Sequence, residues 1–231
     1  MLRFEDKELE AAVLARQSCV AVPLEIYIPV SGEMQITTYS FLADRAQALI
    51  DSCGDDLLGE KARSYIESEY KTIAENMGYE HFEHENSVML EYEISDIRQL
   101  DKKLICGDCI KIDSQGELDR LCADTGCEIE LTGENDVIFA VVKDGKILSY
   151  AGINDIDCGE NSLEISVETA PDARKHGYGS AVVTALCEFI IGNGKKVLYK
   201  CSAENTASSA LALKCGLELV GTRYSYVCGL K

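Results

Sequence analysis

Toward the start of the chain, apolar side chains recur at the three- and four-residue spacing of an amphipathic helix. Phe4, Leu9, Ala12 and Val13, running on to Arg16, predict one helix, and residues 41–51 and 57–77 predict two more. The intervening VPLEIYIPV carries two prolines and several β-branched residues, so it reads as extended. VMLEYEI, at 88–94, alternates as a strand does. Residues 1–102 therefore read as a mainly helical region. No repeat or low-complexity linker marks its boundary, which falls near residue 100.

Beyond that boundary the elements shorten and alternate. CIKI (109–112) predicts a strand, and residues 113–126 a helix with Asp113 or Ser114 as N-cap and Gly126 as its stop. Two apolar runs flank Lys143-Asp144-Gly145-Lys146, where Asp-Gly supplies the positive-φ turn of a hairpin. In LEISVET, Leu163, Ile165, Val167 and Thr169 share one face and Glu164, Ser166 and Glu168 the other. Pro171 ends that strand, residues 177–191 read as a helix stopped by Gly192-Asn193-Gly194, and KVLYKCS reads as a strand. A short helix at 205–214 closes at Gly216, and LELVG with RYSYV predicts a final hairpin. The order from residue 109 is β-α-β-β-β-α-β-α-β-β.

Composition narrows the classes of function. With 231 residues, 46% hydrophobic and 27% charged, the chain is long and apolar enough to bury its own core. Its net charge of -18 disfavours nucleic acid and anionic membranes as partners and favours a cationic ligand. No apolar run approaches the ~20 residues of a membrane span, and the charged N-terminus does not resemble a signal peptide, so a cytoplasmic location is expected. Eleven irregularly spaced cysteines then read as free thiols serving as small hydrophobes. Cys106-x-x-Cys109 and Cys122-x4-Cys127 match a zinc site in number only. One pair opens a strand and the other spans a helix end, and no metal is expected.

The stretch RKHGYG, 174–179, lies between a strand and a helix. It is neither the G-x-G-x-x-G of a dinucleotide fold nor a P-loop ending in Gly-Lys-Ser/Thr. What remains is R-x-x-G-x-G opening a helix, whose first-turn amides and positive dipole end attract phosphate oxygens, with glycines permitting close approach. Taken with Asn205-x-x-Ser208-x-x-Leu211-Ala212-x-Lys214-x-Gly216-Leu217, this pattern resembles the GNAT superfamily of acyl-CoA-dependent N-acyltransferases. The resemblance covers about 104–231, and residues 103–231 are taken as that domain. It implies an α/β (α+β) fold with a mixed, mainly antiparallel sheet flanked by helices.

The resemblance also implies acetyl-CoA as acyl donor, with Arg174, Lys175, His176, Gly177, Tyr178, Gly179 and Ser180 around the pyrophosphate. The strand ending at Thr169 would splay from the one starting at Lys196, leaving Val167 and Thr169 to pair with pantetheine amides. Asn205 and Ser208 match positions that touch the same arm, although Asn205 also reads as a helix cap. The acceptor would be a primary amine, on a small molecule or as a protein Lys or N-terminal amine, acylated by direct attack, the protein being a monomer or homodimer. Glu164 and Glu168 are candidate bases. Where many relatives carry a tyrosine general acid, this chain has Ala212; Tyr226 and Tyr224 on the last strand are candidate substitutes, although tyrosines on an edge strand more often pack and a thiolate is a tolerable leaving group without an acid. The alternatives are a noncatalytic acyl-CoA-binding regulatory module and an interaction protein that has lost the coenzyme.

Overall fold

Alternating runs become strands and 3.6-spaced runs become helices along most of the chain. A computed structural model describes residues 1–81, 88–122, 137–154 and 161–230. The chain runs through β1 (Leu2–Phe4), α1 (Lys7–Leu14), β2 (Val20–Pro29), β3 (Gln35–Thr38), α2 (Ala43–Cys53), α3 (Glu60–Met77), β4 (Tyr79–His81) and β5 (Val88–Ile94). It continues through β6 (Cys109–Ile112), α4 (Gln115–Cys122), β7 (Ile138–Lys143), β8 (Lys146–Ile153) and β9 (Ser162–Thr169). The last elements are α5 (Tyr178–Gly192), β10 (Lys196–Ser202), α6 (Thr206–Lys214) and β11 (Glu218–Leu230). Among the described residues, then, a mixed α/β fold has eleven strands and six α-helices, and most neighbouring strands are antiparallel. Gly126 and Cys127, singled out in the sequence, lie outside the described residues.

The chain divides into two compact units, Met1–Leu90 with Val220–Lys231, and Glu91–Leu219. The first carries strands in the order β1-β3-β2-β11, with β4 also paired to β11. Its core gathers Leu24, Ile26, Leu49, Ile66, Tyr70, Tyr79 and Tyr226. The region is less helical than its periodicity indicates. The Asp6 side chain accepts from the amides of Glu8 and Leu9, so α1 starts at Lys7, and Phe4 joins a strand paired with β3 rather than the helix. A second correction concerns the final hairpin. Glu218–Leu230 is one unbroken strand, because Gly221 has no left-handed turn geometry and instead lets the Tyr27 ring lie against its backbone, where a Cβ would come within 2.4 Å. Val220 onward therefore packs with the first unit, whereas the sequence reading ran one domain to residue 231.

In the second unit the strand order is β5-β10-β9-β8-β7-β6. Asp144 and Gly145 both adopt positive φ, as the hairpin between β7 and β8 requires. On one face α5 packs with Phe189 against Phe139, ring centroids 5.9 Å apart. On the other, Leu118 of α4 joins Ile112, Ile138 and Ala140. β9 and β10 run parallel, and their pairing covers only Ser162–Ile165 against Lys196–Tyr199. Both strands continue beyond that point, β9 to Thr169 and β10 to Ser202, without each other as partners. This opening in the sheet positions the site. Among the described residues no helix is long and apolar enough to cross a membrane.

Candidate functional site

Where β9 and β10 part, a cavity of ≈ 610 Å³ opens, floored by the two strands and walled by the start of α5 and by α6. Val167, Glu168 and Thr169 enter from β9, and Arg174, Lys175, Gly177, Tyr178, Gly179 and Ser180 from the following loop and helix turn. Asn205 and Ser208 enter from α6. Sequence-predicted residues from three separate stretches thus meet around one space. His176 is in the same loop but faces its backbone, with Nδ1 2.9 Å from the Arg174 carbonyl oxygen and its ring stacked on Tyr178.

The loop conformation follows from its residue types. Gly177 is the N-cap of α5 at φ +84°, in the left-handed region that glycine enters without steric cost, and no side chain caps the helix. The first-turn amides of α5 are therefore left for another acceptor. At Gly179 an added Cβ would come 3.2 Å from Thr169 Oγ1 and 3.7 Å from Leu211 Cδ2, so a side chain here would fill the cleft between β9 and α6. Arg174 donates from Nε to the Thr169 carbonyl at 3.3 Å, which ties the loop to the end of β9.

Despite the net negative charge of the chain, cations collect at this cavity. Arg174, Lys175 and Lys214 line it, and Lys143 Nζ lies 5.1 Å from the Tyr178 ring centroid and 3.2 Å from Asp108. The Tyr178 hydroxyl and Asp108 together push the Lys143 ammonium pKa up. Lys214 Nζ donates to Ser180 Oγ at 3.1 Å, and that hydroxyl donates to the Gly177 carbonyl at 2.8 Å. Lysine, serine and the glycine cap thus form one linked corner, suited to an anion with several oxygens. Asn205 fills both roles read from the sequence, since it lines the cavity while its Oδ1 accepts from the Ser208 amide at 3.0 Å and caps α6.

The catalytic candidates separate. Glu168 borders the cavity, and its Oε2 accepts from the Tyr150 hydroxyl at 2.8 Å. Glu164 shares its face of β9 but sits below the parting of the strands, 8% exposed, with Oε2 2.7 Å from Lys200 Nζ. Tyr226 is not brought to the cavity. It is fully buried in the core of the first unit, its ring 6.0 Å from that of Tyr70, and burial pushes its hydroxyl pKa up. The reason is register: β11 pairs Tyr226 with Leu24 and also binds β4, so this is an interior strand. Tyr224 is buried in the same core.

Sequence reasoning missed Tyr199 and Leu211 as lining residues and gave Lys214 no role. Tyr199 stands at the last β9–β10 pair, opposite Ile165, with its hydroxyl against Ser208 Oγ. Only the register of two strands distant in sequence places it there. Ala212, by contrast, is fully buried within α6. Among the described residues no group of three or more His, Cys, Asp or Glu side chains could hold a metal ion.

The acetyltransferase (GNAT) family model matches residues 103–217, the segment that contributes β6 to α6 and with them the whole cavity wall. No curated protein matches the chain. Among solved structures, a GCN5-related N-acetyltransferase-like protein from Streptococcus suis 89/1591 has a TM-score of 0.50 at 18% identity, over 90% of this chain and 85% of that one. A GNAT-family protein from Novosphingobium aromaticivorans DSM 12444 gives 0.48 at 17%, over 63% of this chain and 65% of its own length. The first of these is a likeness of fold alone. Through residues 103–217 the chain belongs to the GNAT family of acetyltransferases.

Proposed function

We propose that the protein transfers an acetyl group from acetyl-CoA to a primary amine by direct attack, and that the cavity between β9, β10 and α6 is where it does so. The observation that carries this reading is the opening of the sheet beyond Ile165 and Tyr199, with the uncapped, glycine-led start of α5 at its mouth. Acetyl-CoA supplies the activated thioester. The first-turn amides of α5, with Arg174, Lys175 and the Lys214–Ser180 corner, hold the pyrophosphate. The backbone of Val167 and Thr169, on a stretch of β9 that β10 no longer meets, pairs with the pantetheine amides as an added strand would. Asn205 and Ser208 border the same arm.

Glu164 and Glu168 share the opposite side-chain face of β9 and provide the carboxylates that relieve the incoming amine of its proton. An ordinary ammonium, with a pKa of about 10.4, needs such a base near neutral pH. Lys200 against Glu164 holds that carboxylate in place. The acceptor is a cationic small molecule or a protein amine, drawn by the acidity of the chain as a whole. The test begins with binding: acetyl-CoA at about 100 times its Kd should stabilise the fold by ~2.7 kcal/mol, which at this size is a Tm rise of roughly 5–10 °C. No rise at millimolar acetyl-CoA refutes the assignment. A rise without thiol release across a panel of amines would instead favour the noncatalytic acyl-CoA-binding module.

A further inference from the structure

Ala212 leaves α6 without the phenol that would meet the departing sulfur, but the cavity holds a different one. Tyr199 comes from β10, not from α6, and is 2% exposed overall while still lining the cavity. Its position is fixed from three sides. Its backbone pairs with Ile165 at the last rung before the strands part, its ring meets Tyr92 edge-on at 6.4 Å, and its oxygen contacts the Ser208 hydroxyl. The stretch of β9 from Thr169 back to Ile165 spans about 13 Å of extended chain. An arm anchored at the α5 loop and paired along Thr169 and Val167 therefore brings its far end to Tyr199.

Resting on the coenzyme reading above, we infer that the Tyr199 hydroxyl is the hydrogen-bond donor to the coenzyme sulfur, oriented by Ser208. A hydroxyl has one hydrogen, and two touching hydroxyls can share it in only one direction at a time. With Ser208 Oγ donating to the tyrosine oxygen, the phenolic hydrogen is left for the cavity. In the transfer step the amine nitrogen bonds to the carbonyl carbon, the carbon–sulfur bond breaks, and its electron pair stays on sulfur. The amine proton goes to the carboxylates of β9. Tyr199 stabilises the charge that grows on sulfur without giving up its own proton. Burial raises the Tyr199 pKa, which suits a donor that stays protonated beside a thiolate.

Calorimetry at pH 9 with CoA and with desulfo-CoA, in which hydrogen replaces the thiol, reads this interaction without any acceptor. Wild-type protein should bind CoA at least about tenfold more tightly than desulfo-CoA, the scale of one hydrogen bond to a charged group. Tyr199→Phe should bind desulfo-CoA as wild type does and lose the preference for CoA. Should Tyr199→Phe fail to bind desulfo-CoA, Ser208→Ala decides, and there the preference should fall severalfold. A preference unchanged in the informative variant, or missing in wild type that binds both ligands, overturns the role of Tyr199 and leaves the coenzyme reading intact. Wild type binding neither ligand overturns both.

Discussion

Replacing Gly177 with valine separates what a glycine does for the backbone from what it does for a ligand. At φ +84° and ψ 0° the residue is in the left-handed region, where an L side chain costs roughly 1–2 kcal/mol. Space is not the obstacle, since the nearest atom to an added Cβ is Ser180 Oγ at 4.0 Å. The strain alone should lower Tm by roughly 2–8 °C at ~2–4 °C per kcal/mol. A bulky side chain over the first turn of α5 should also deny the pyrophosphate about two amide hydrogen bonds at ~1.5–3 kcal/mol each. The sum of ~3–6 kcal/mol corresponds to a CoA affinity weaker by about 10² to 10⁴ fold. Gly194→Val is the control. Gly194 has φ +76°, no heavy atom lies within 4 Å of its added Cβ, and it does not line the cavity. Both variants should melt early in thermal scans, and only Gly177→Val should lose CoA in calorimetric titration. Equal CoA affinity in the two variants would refute the idea that the α5 amides hold the coenzyme.

Two further outcomes follow from side-chain placement. Glu164→Gln should lower kcat/KM for amine acetylation at neutral pH by about 10² to 10⁴ fold with recovery at high pH, while Tyr226→Phe, altered deep in the other core, should transfer as wild type does. The reverse pattern would return the chemistry to the last strand. Burial first, and Cys106 second, push the Cys109 pKa up to about 11, so iodoacetamide labelling followed by peptide mass spectrometry should show its alkylation still accelerating between pH 9 and 11. A small thiol titrating at about 8.5 has levelled off by about pH 10. Because the unfolded chain ionises Cys109 first, stability from this group is complete below its ordinary value and declines as pH rises toward about 11. A plateau in labelling by pH 10 would contradict the burial argument.

Features set by neighbours in sequence were legible before the fold was known. Asp144-Gly145 predicts its own turn because positive φ is a local demand, and the 174–179 loop announces the start of α5 for the same reason. The residues around the cavity at Thr169, Gly177 and Ser208 were read through the family pattern, and they do meet. Tyr199 was not legible, because its meaning depends on a rung shared with Ile165, and register is a tertiary property. β1 and β3, at three and four residues, are too short to impose a period of their own. Gly221 misled in the opposite direction. A glycine between two β-rich runs looks like a turn, yet here its missing side chain serves the approach of an aromatic ring from β2.

The passage of β11 out of one compact unit and into the other also sets the order in which the protein can be made. Tyr224, Tyr226 and Cys228 belong to the same core as Leu24 and Ile26, and β11 pairs with β2 from Gly221↔Pro29 to Gly229↔Val20. Synthesis runs from the N-terminus at about 5–20 residues per second, so β2 emerges roughly ten seconds or more before its partner. Throughout that interval the edge of β2 that will receive β11 stands open, a template for wrong pairings. The unit that is first in sequence is therefore the last to close. A nascent chain halted before residue 218 should engage chaperones through β2, even with all of the residues that line the cavity already synthesised.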